Sequence, residues 1–119
     1  MERERFEQLV GEAIDSLPDD FREKMNNVAV VVDDLPSPRD ERRYARGRLL
    51  LGLYQGQPLT RRGASYSMAF PDKTTIYQAN IEAICRSEDE IRRQVRKTVL
   101  HEIAHHFGID DHRLRDLGY

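Results

Sequence analysis

Phe6, Leu9, Val10, Ala13, Ile14 and Leu17 recur at steps of three and four residues. That spacing lines apolar side chains along one stripe of an α-helix, so the chain is expected to open with an amphipathic helix from about Glu2 to Leu17, ended by Pro18. Val28 to Val32 is a β-branched run bounded by Asn26-Asn27 and Asp33-Asp34, the pattern of a short buried strand. Leu49 to Tyr54 reads as a second strand, stopped by Gly56 and Pro58. A third is expected over Thr74 to Ile81, where Thr75, Tyr77, Ala79 and Ile81 alternate imperfectly with Thr74, Ile76, Gln78 and Asn80. Ser87-Glu88-Asp89-Glu90 then forms a capping box, with acids suited to a helix N-terminus. The helix it opens continues through Ile91, Val95, Val99, Leu100, Ile103 and Phe107, and Gly108 stands where a left-handed residue would end it. The order helix, strand, strand, strand, helix predicts an α+β fold, a small sheet packed against an N-terminal and a long C-terminal helix.

Composition narrows the function classes. The chain has 119 residues, one domain's length, so residues 1–119 are expected to form a single domain. Nineteen Lys and Arg against 21 Asp and Glu leave a net charge of −2, which gives no global field for gripping phosphate backbones and disfavours nucleic acid as a partner. The apolar runs fall far short of the roughly 20 residues of a membrane helix. The start, Met1-Glu2-Arg3-Glu4-Arg5, lacks the apolar core of a secretory signal. Cys85 stands alone, so neither a disulfide framework nor a multi-thiolate zinc knuckle can form. A soluble, cytoplasmic protein is expected, of no particular oligomeric state. The segment Asp34 to Arg48 holds Arg39, Arg42, Arg43, Arg46 and Arg48 with Asp40 and Glu41 interleaved, and is expected to be a solvated loop or frayed helical turn. Gln55 to Ser65 is expected to be a second exposed loop.

The chemistry concentrates near the end of the long helix, in His101-Glu102-Ile103-Ala104-His105. Residues four apart on a helix lie one turn above each other, so both imidazoles can reach one metal ion without backbone distortion. Glu102, about 100° round from His101, flanks the ion and can address a water there as general base. Four histidines and ten glutamates in this chain would produce such a pentapeptide in roughly 1% of shuffles, so chance is a poor explanation. Three protein ligands leave catalytic zinc one open position, and a third ligand is therefore required. Gly108 allows a sharp reversal, after which Asp111 can bring a carboxylate to the metal. His112 is the next candidate, ahead of Asp110 and His106. The expected cofactor is Zn2+, held by His101, His105 and Asp111.

The string His-Glu-x-x-His-x-x-Gly-x-x-Asp from His101 to Asp111, together with Leu51-Gly52-Leu53-Tyr54-Gln55-Gly56-Gln57-Pro58-Leu59-Thr60 and Thr75-Ile76-Tyr77, resembles the small bacterial zincin-like metallopeptidases. The resemblance spans roughly Val28 to Tyr119. It implies a minimal zincin fold, His101, His105 and Asp111 as zinc ligands, Glu102 as catalytic base, and a peptide or protein substrate. Eight residues follow Asp111, so a C-terminal substrate subdomain is not expected and the cleft should be shallow or shared with a partner. An extended substrate would add to a free edge strand, with Thr74 to Ile81 as the candidate. Tyr77, Tyr119 and His112 are candidate oxyanion donors. Two rival readings remain at this level. Small bacterial endoribonucleases carry His-x-x-x-His-x-x-Gly-x-x-His on a helix, which this chain matches except at Asp111, and the Glu after the first His favours the peptidase. A zinc-bearing interaction module without turnover is the other.

Overall fold

The computed structural model describes residues 1–56 and 71–118, with Asp111 described by its backbone alone. Along the chain these form α1 (Arg3–Asp15), α2 (Asp19–Lys24), β1 (Val28–Asp33), α3 (Pro38–Asp40) running into a π-helical turn (Glu41–Ala45), β2 (Gly52–Gln55), β3 (Asp72–Tyr77), α4 (Gln78–Ile84), α5 (Glu88–Phe107) and α6 (Asp111–Asp116). This is an α+β fold: a three-stranded mixed sheet of order β1-β3-β2, with β1 parallel and β2 antiparallel to β3. Among the described residues no helix is long and apolar enough to cross a membrane.

The apolar stripe of α1 does what its period demands. Phe6, Leu9, Val10 and Ala13 are buried, and α1 packs on α5. From α5 the core takes Ile91, Val95, Val99, Leu100, Ile103 and Ala104, and Ile76 of β3 with Ile81 of α4 completes the contact with the sheet. Ser87 caps α5 by accepting from the Glu90 N–H at 3.1 Å, while the Glu90 carboxylate accepts from the Arg86 N–H, one residue upstream of the usual capping box. At the other end Gly108 is left-handed (φ 66°), and Ile109 N–H donates to Ala104 O at 2.8 Å, which reverses the chain. Phe107 departs from expectation: it is 42% exposed rather than part of the core.

The sheet differs from the sequence expectation in the limits of two strands and in which strand is central. The third strand ends at Tyr77, and Gln78, Ala79, Asn80 and Ile81 belong to α4, which explains why their alternation was imperfect. β3 is also the central strand, paired on both sides, so it is not the free edge expected of Thr74 to Ile81. Among the described residues the edges are β1 and β2. The second strand is shorter than expected, starting at Gly52 rather than Leu49. α2 and α6 are short helices that periodicity did not reveal.

Gly52 sets the distance between sheet and helix. A Cβ built there would lie 2.7 Å from Thr98 Cγ2 and 3.2 Å from the Thr75 carbonyl oxygen. Only a residue without a side chain lets β2 lie this close to α5. That close approach brings the strand edge to the helical turn that carries His101 and Glu102.

Candidate active site

His101 and His105 stand one turn apart on α5, with ring centroids separated by 6.4 Å and planes at 68°. His101 is half-buried and His105 exposed, so the pair opens towards solvent from a helix whose other faces are in the core. Glu102, half-buried between helix and sheet, accepts a hydrogen bond from the backbone N–H of Tyr54 at 3.2 Å. The ladder explains this contact. Tyr77 N–H donates to Leu51 O, so Leu51 faces β3, and alternation along an antiparallel pair turns the backbone groups of Gly52 and Tyr54 away from it. The carboxylate therefore meets the side of β2 that has no strand partner among the described residues. Burial pushes the Glu102 carboxyl above the usual range, opposed in part by the Tyr54 N–H and by His105.

Behind this edge lies a cluster the sequence did not disclose. The Tyr54 hydroxyl donates to Asp72 Oδ2 at 2.7 Å, His106 stacks on the Tyr54 ring with centroids 4.0 Å apart, and His106 Nε2 lies 3.7 Å from Asp72 Oδ2. Phe107 meets the Tyr54 ring edge-on at 6.0 Å. Burial, then Asp72, raises the Tyr54 phenol, so it stays a neutral donor. The cluster ties the end of β2 to the end of α5 and so fixes the strand whose N–H holds Glu102. His106, a weaker candidate ligand by sequence, is turned to this other side of the helix. Asp72 lies 18 residues from its partner Tyr54, beyond the reach of any local pattern.

A cleft of about 630 Å³ opens over Glu102 and His105, walled by Tyr44 of the π-helical turn, by Arg46 and Arg48 just after it, and by Leu53 from β2. It is continued by a second hollow along Gly52, Thr98, Lys97, His101 and Glu102, with Tyr44 and Arg48 lining both. The segment expected to be a solvated loop is thus exposed, as anticipated, but also forms one wall of the cleft.

The remaining candidates fall as follows. Asp110 caps α6, its carboxylate accepting from the His112 N–H, so its side chain is occupied. His112 is exposed. Asp111 is the first residue of α6, immediately after the reversal at Gly108, and its side chain lies outside the described residues. α6 itself is anchored: Leu114 is buried in the core and Arg113 pairs with Asp20 of α2 at 3.0 Å, holding the Asp20 carboxyl below its usual range. Among the described residues, a set without the Asp111 side chain, no three His, Cys, Asp or Glu side chains converge as a metal site. The donor chemistry present, two imidazoles a turn apart with a half-buried carboxylate beside them, fits zinc. Tyr77 is buried close enough to Glu102 to feel its charge. Gln57 to Thr60, most of the expected Gln55 to Ser65 loop, and Tyr119 lie outside the described residues.

Among solved structures, a conserved hypothetical protein from T. thermophilus superimposes with a TM-score of 0.59 over 90% of this chain and 94% of its own, at 23% sequence identity. The likeness is one of fold. No curated protein matches. The sequence profile of zincin-like metallopeptidases matches residues 25–119, from the end of α2 through the whole sheet, α5 and α6. With that match over most of its length, the chain belongs to the zincin-like metallopeptidase family.

Proposed function

We propose that the chain is a zinc-dependent peptidase in which His101, His105 and Asp111 hold the metal and Glu102 is the general base. The observation that carries this reading is the Glu102 carboxylate, half-buried beside two imidazoles 6.4 Å apart and aligned by the Tyr54 N–H at 3.2 Å. A zinc ion bound there would supply the Lewis acidity that acidifies water and polarises a carbonyl. Glu102 would take the water's proton and return it to the leaving amine. Its partial burial raises its proton affinity, and its hydrogen bond to the strand orients it. An extended peptide would lie along the open edge of β2, where the outward N–H and C=O groups of Gly52 and the outward C=O of Tyr54 match a peptide backbone. β2 replaces β3 in this role because β3 has no free side.

The test is Glu102→Gln. Zinc-loaded parent and variant are assayed on a peptide pool and on labelled RNA, with and without chelator, and zinc per chain is measured for both. The expected result is chelator-sensitive peptide cleavage by the parent, retained zinc in the variant, and a loss of rate of about 10²–10⁴-fold, the usual contribution of a general base. A variant as fast as the parent would overturn the role of Glu102. Zinc-loaded parent that cuts no peptide would overturn the peptidase reading.

A further inference from the structure

Arg46, Arg48 and Lys97 line the two hollows around Glu102, and Glu102 is the one carboxylate among the described lining residues. All three cations are exposed. Several helical cations are neutralised by a carboxylate: Arg5 pairs with Glu88, Arg22 with Asp19, Arg92 with Asp89 and Arg113 with Asp20. Among the described residues no carboxylate is paired with Arg46, Arg48 or Lys97. The turn that presents the first two is also specifically built. Arg46 has φ 50°, the one positive value at a non-glycine among the described residues, Gly47 follows at φ 77°, and the Arg48 N–H closes the turn on Ala45 O at 2.9 Å. A left-handed arginine is held against its own backbone preference, and such outliers gather at functional sites. On α5, Lys97 stands one turn before His101, in line with His101 and His105.

From this we infer that the cleft selects acidic peptides, with Arg46, Arg48 and Lys97 receiving aspartate or glutamate side chains on either side of the scissile bond. The inference rests on the peptidase reading for the substrate's being a peptide. An RNA would offer the same charge, but a phosphodiester has no N–H for the outward carbonyls of Gly52 and Tyr54. Exposed ion pairs are each worth severalfold at most, so two or three acting together predict a preference of about tenfold.

The experiment compares acetylated, amidated peptide pools that differ only in having Glu or Lys around the cleavage site, so that side chains carry the only carboxylates. Cleavage by zinc-loaded parent is measured, and binding to zinc-loaded Glu102→Gln is followed by fluorescence anisotropy. The Glu pool should be cut and bound about tenfold better at low salt, with the contrast fading at high salt. R46E/R48E should reverse the preference, R46K/R48K should retain it, and R86E, outside the cleft, should leave it in place. Circular dichroism establishes that each variant is folded. Equal cleavage and equal binding of the two pools, a preference that survives in folded R46E/R48E, or chelator-sensitive cutting of RNA in preference to both pools would overturn the inference. If no pool is cut yet the Glu pool binds in a manner dependent on Arg46 and Arg48, the peptidase reading fails and charge selection stands.

Discussion

Replacing Gly52 by alanine tests how the sheet is held against the helix that carries the site. The new Cβ would lie 2.7 Å from Thr98 Cγ2, a distance real Cβ atoms do not tolerate, and 3.2 Å from the Thr75 carbonyl oxygen. Neither neighbour yields easily: Thr98 is β-branched in a helix, so its χ1 is stiff, and its hydroxyl accepts from Gln94 Nε2 at 3.2 Å, while Thr75 O is backbone in the central strand. Strand and helix must separate instead. Overpacking of this kind costs about 1–3 kcal/mol, and for 119 residues that lowers the melting temperature by about 4–12 °C. Thr98 lies one turn before Glu102, so the same movement lengthens the Tyr54 N–H to Glu102 bond from 3.2 Å and should slow any hydrolysis more than it weakens zinc binding. Calorimetry and denaturant unfolding of G52A, T98S and G52A/T98S form a double-mutant cycle. Removing Cγ2 should return about 1 kcal/mol in the alanine background and cost a similar amount in the parent, with incomplete rescue because the Thr75 contact remains. If G52A melts within a degree or two of the parent, or if T98S destabilises both backgrounds equally, close approach at Gly52 is not what sets the spacing.

Asp111→Ala should lower zinc from about one ion per chain to a small fraction under dilute chelator, while His112→Ala keeps it; metal analysis after gel filtration decides between them, and the reverse pattern would move the third ligand to His112. Gly108→Ala meets no neighbour within 4 Å, so its cost is the left-handed backbone alone, about 1–2 kcal/mol by urea unfolding, with Gly108→Asn milder. Burial first, then the charges of Asp40, Asp33 and Glu102, push the Tyr77 phenol from 10.0 up to about 12. Because the folded value is raised, the stabilisation is complete below the ordinary phenol value and is lost as pH climbs through 10 towards 12, about 2–3 kcal/mol in all. Phenolate absorbance against pH, compared with Tyr77→Phe, should show this ionisation coinciding with alkaline unfolding; a normal titration near 10 in the folded protein would refute it.

The helices were largely legible because their signals are local. The stripe from Phe6 to Leu17, the Ser87 cap and the left-handed Gly108 each depend on neighbours within a few residues, and the structure places them close to where the pattern put them. The i, i+4 adjacency of His101 and His105 is a property of any helix through them. Strand limits were weaker, since Gln78 to Ile81 carry side chains compatible with either state, and in the fold they are helical, with Ile81 in the core and Asn80 donating to Leu50 O at 2.8 Å.

What the sequence determined alone was the α+β composition of the fold and the one helical turn on which two imidazoles and a carboxylate are adjacent, because both follow from spacing within a single element. Strand order was beyond it: that β3 is central and β2 an edge depends on pairing between residues about 20 or more positions apart, and local periodicity is the same for either arrangement. So were the fit of Gly52 against Thr98, the Tyr54, Asp72 and His106 cluster, and the basic wall of Arg46 and Arg48 beside Glu102. These are contacts between elements, and they exist only once the sheet and α5 have closed on one core.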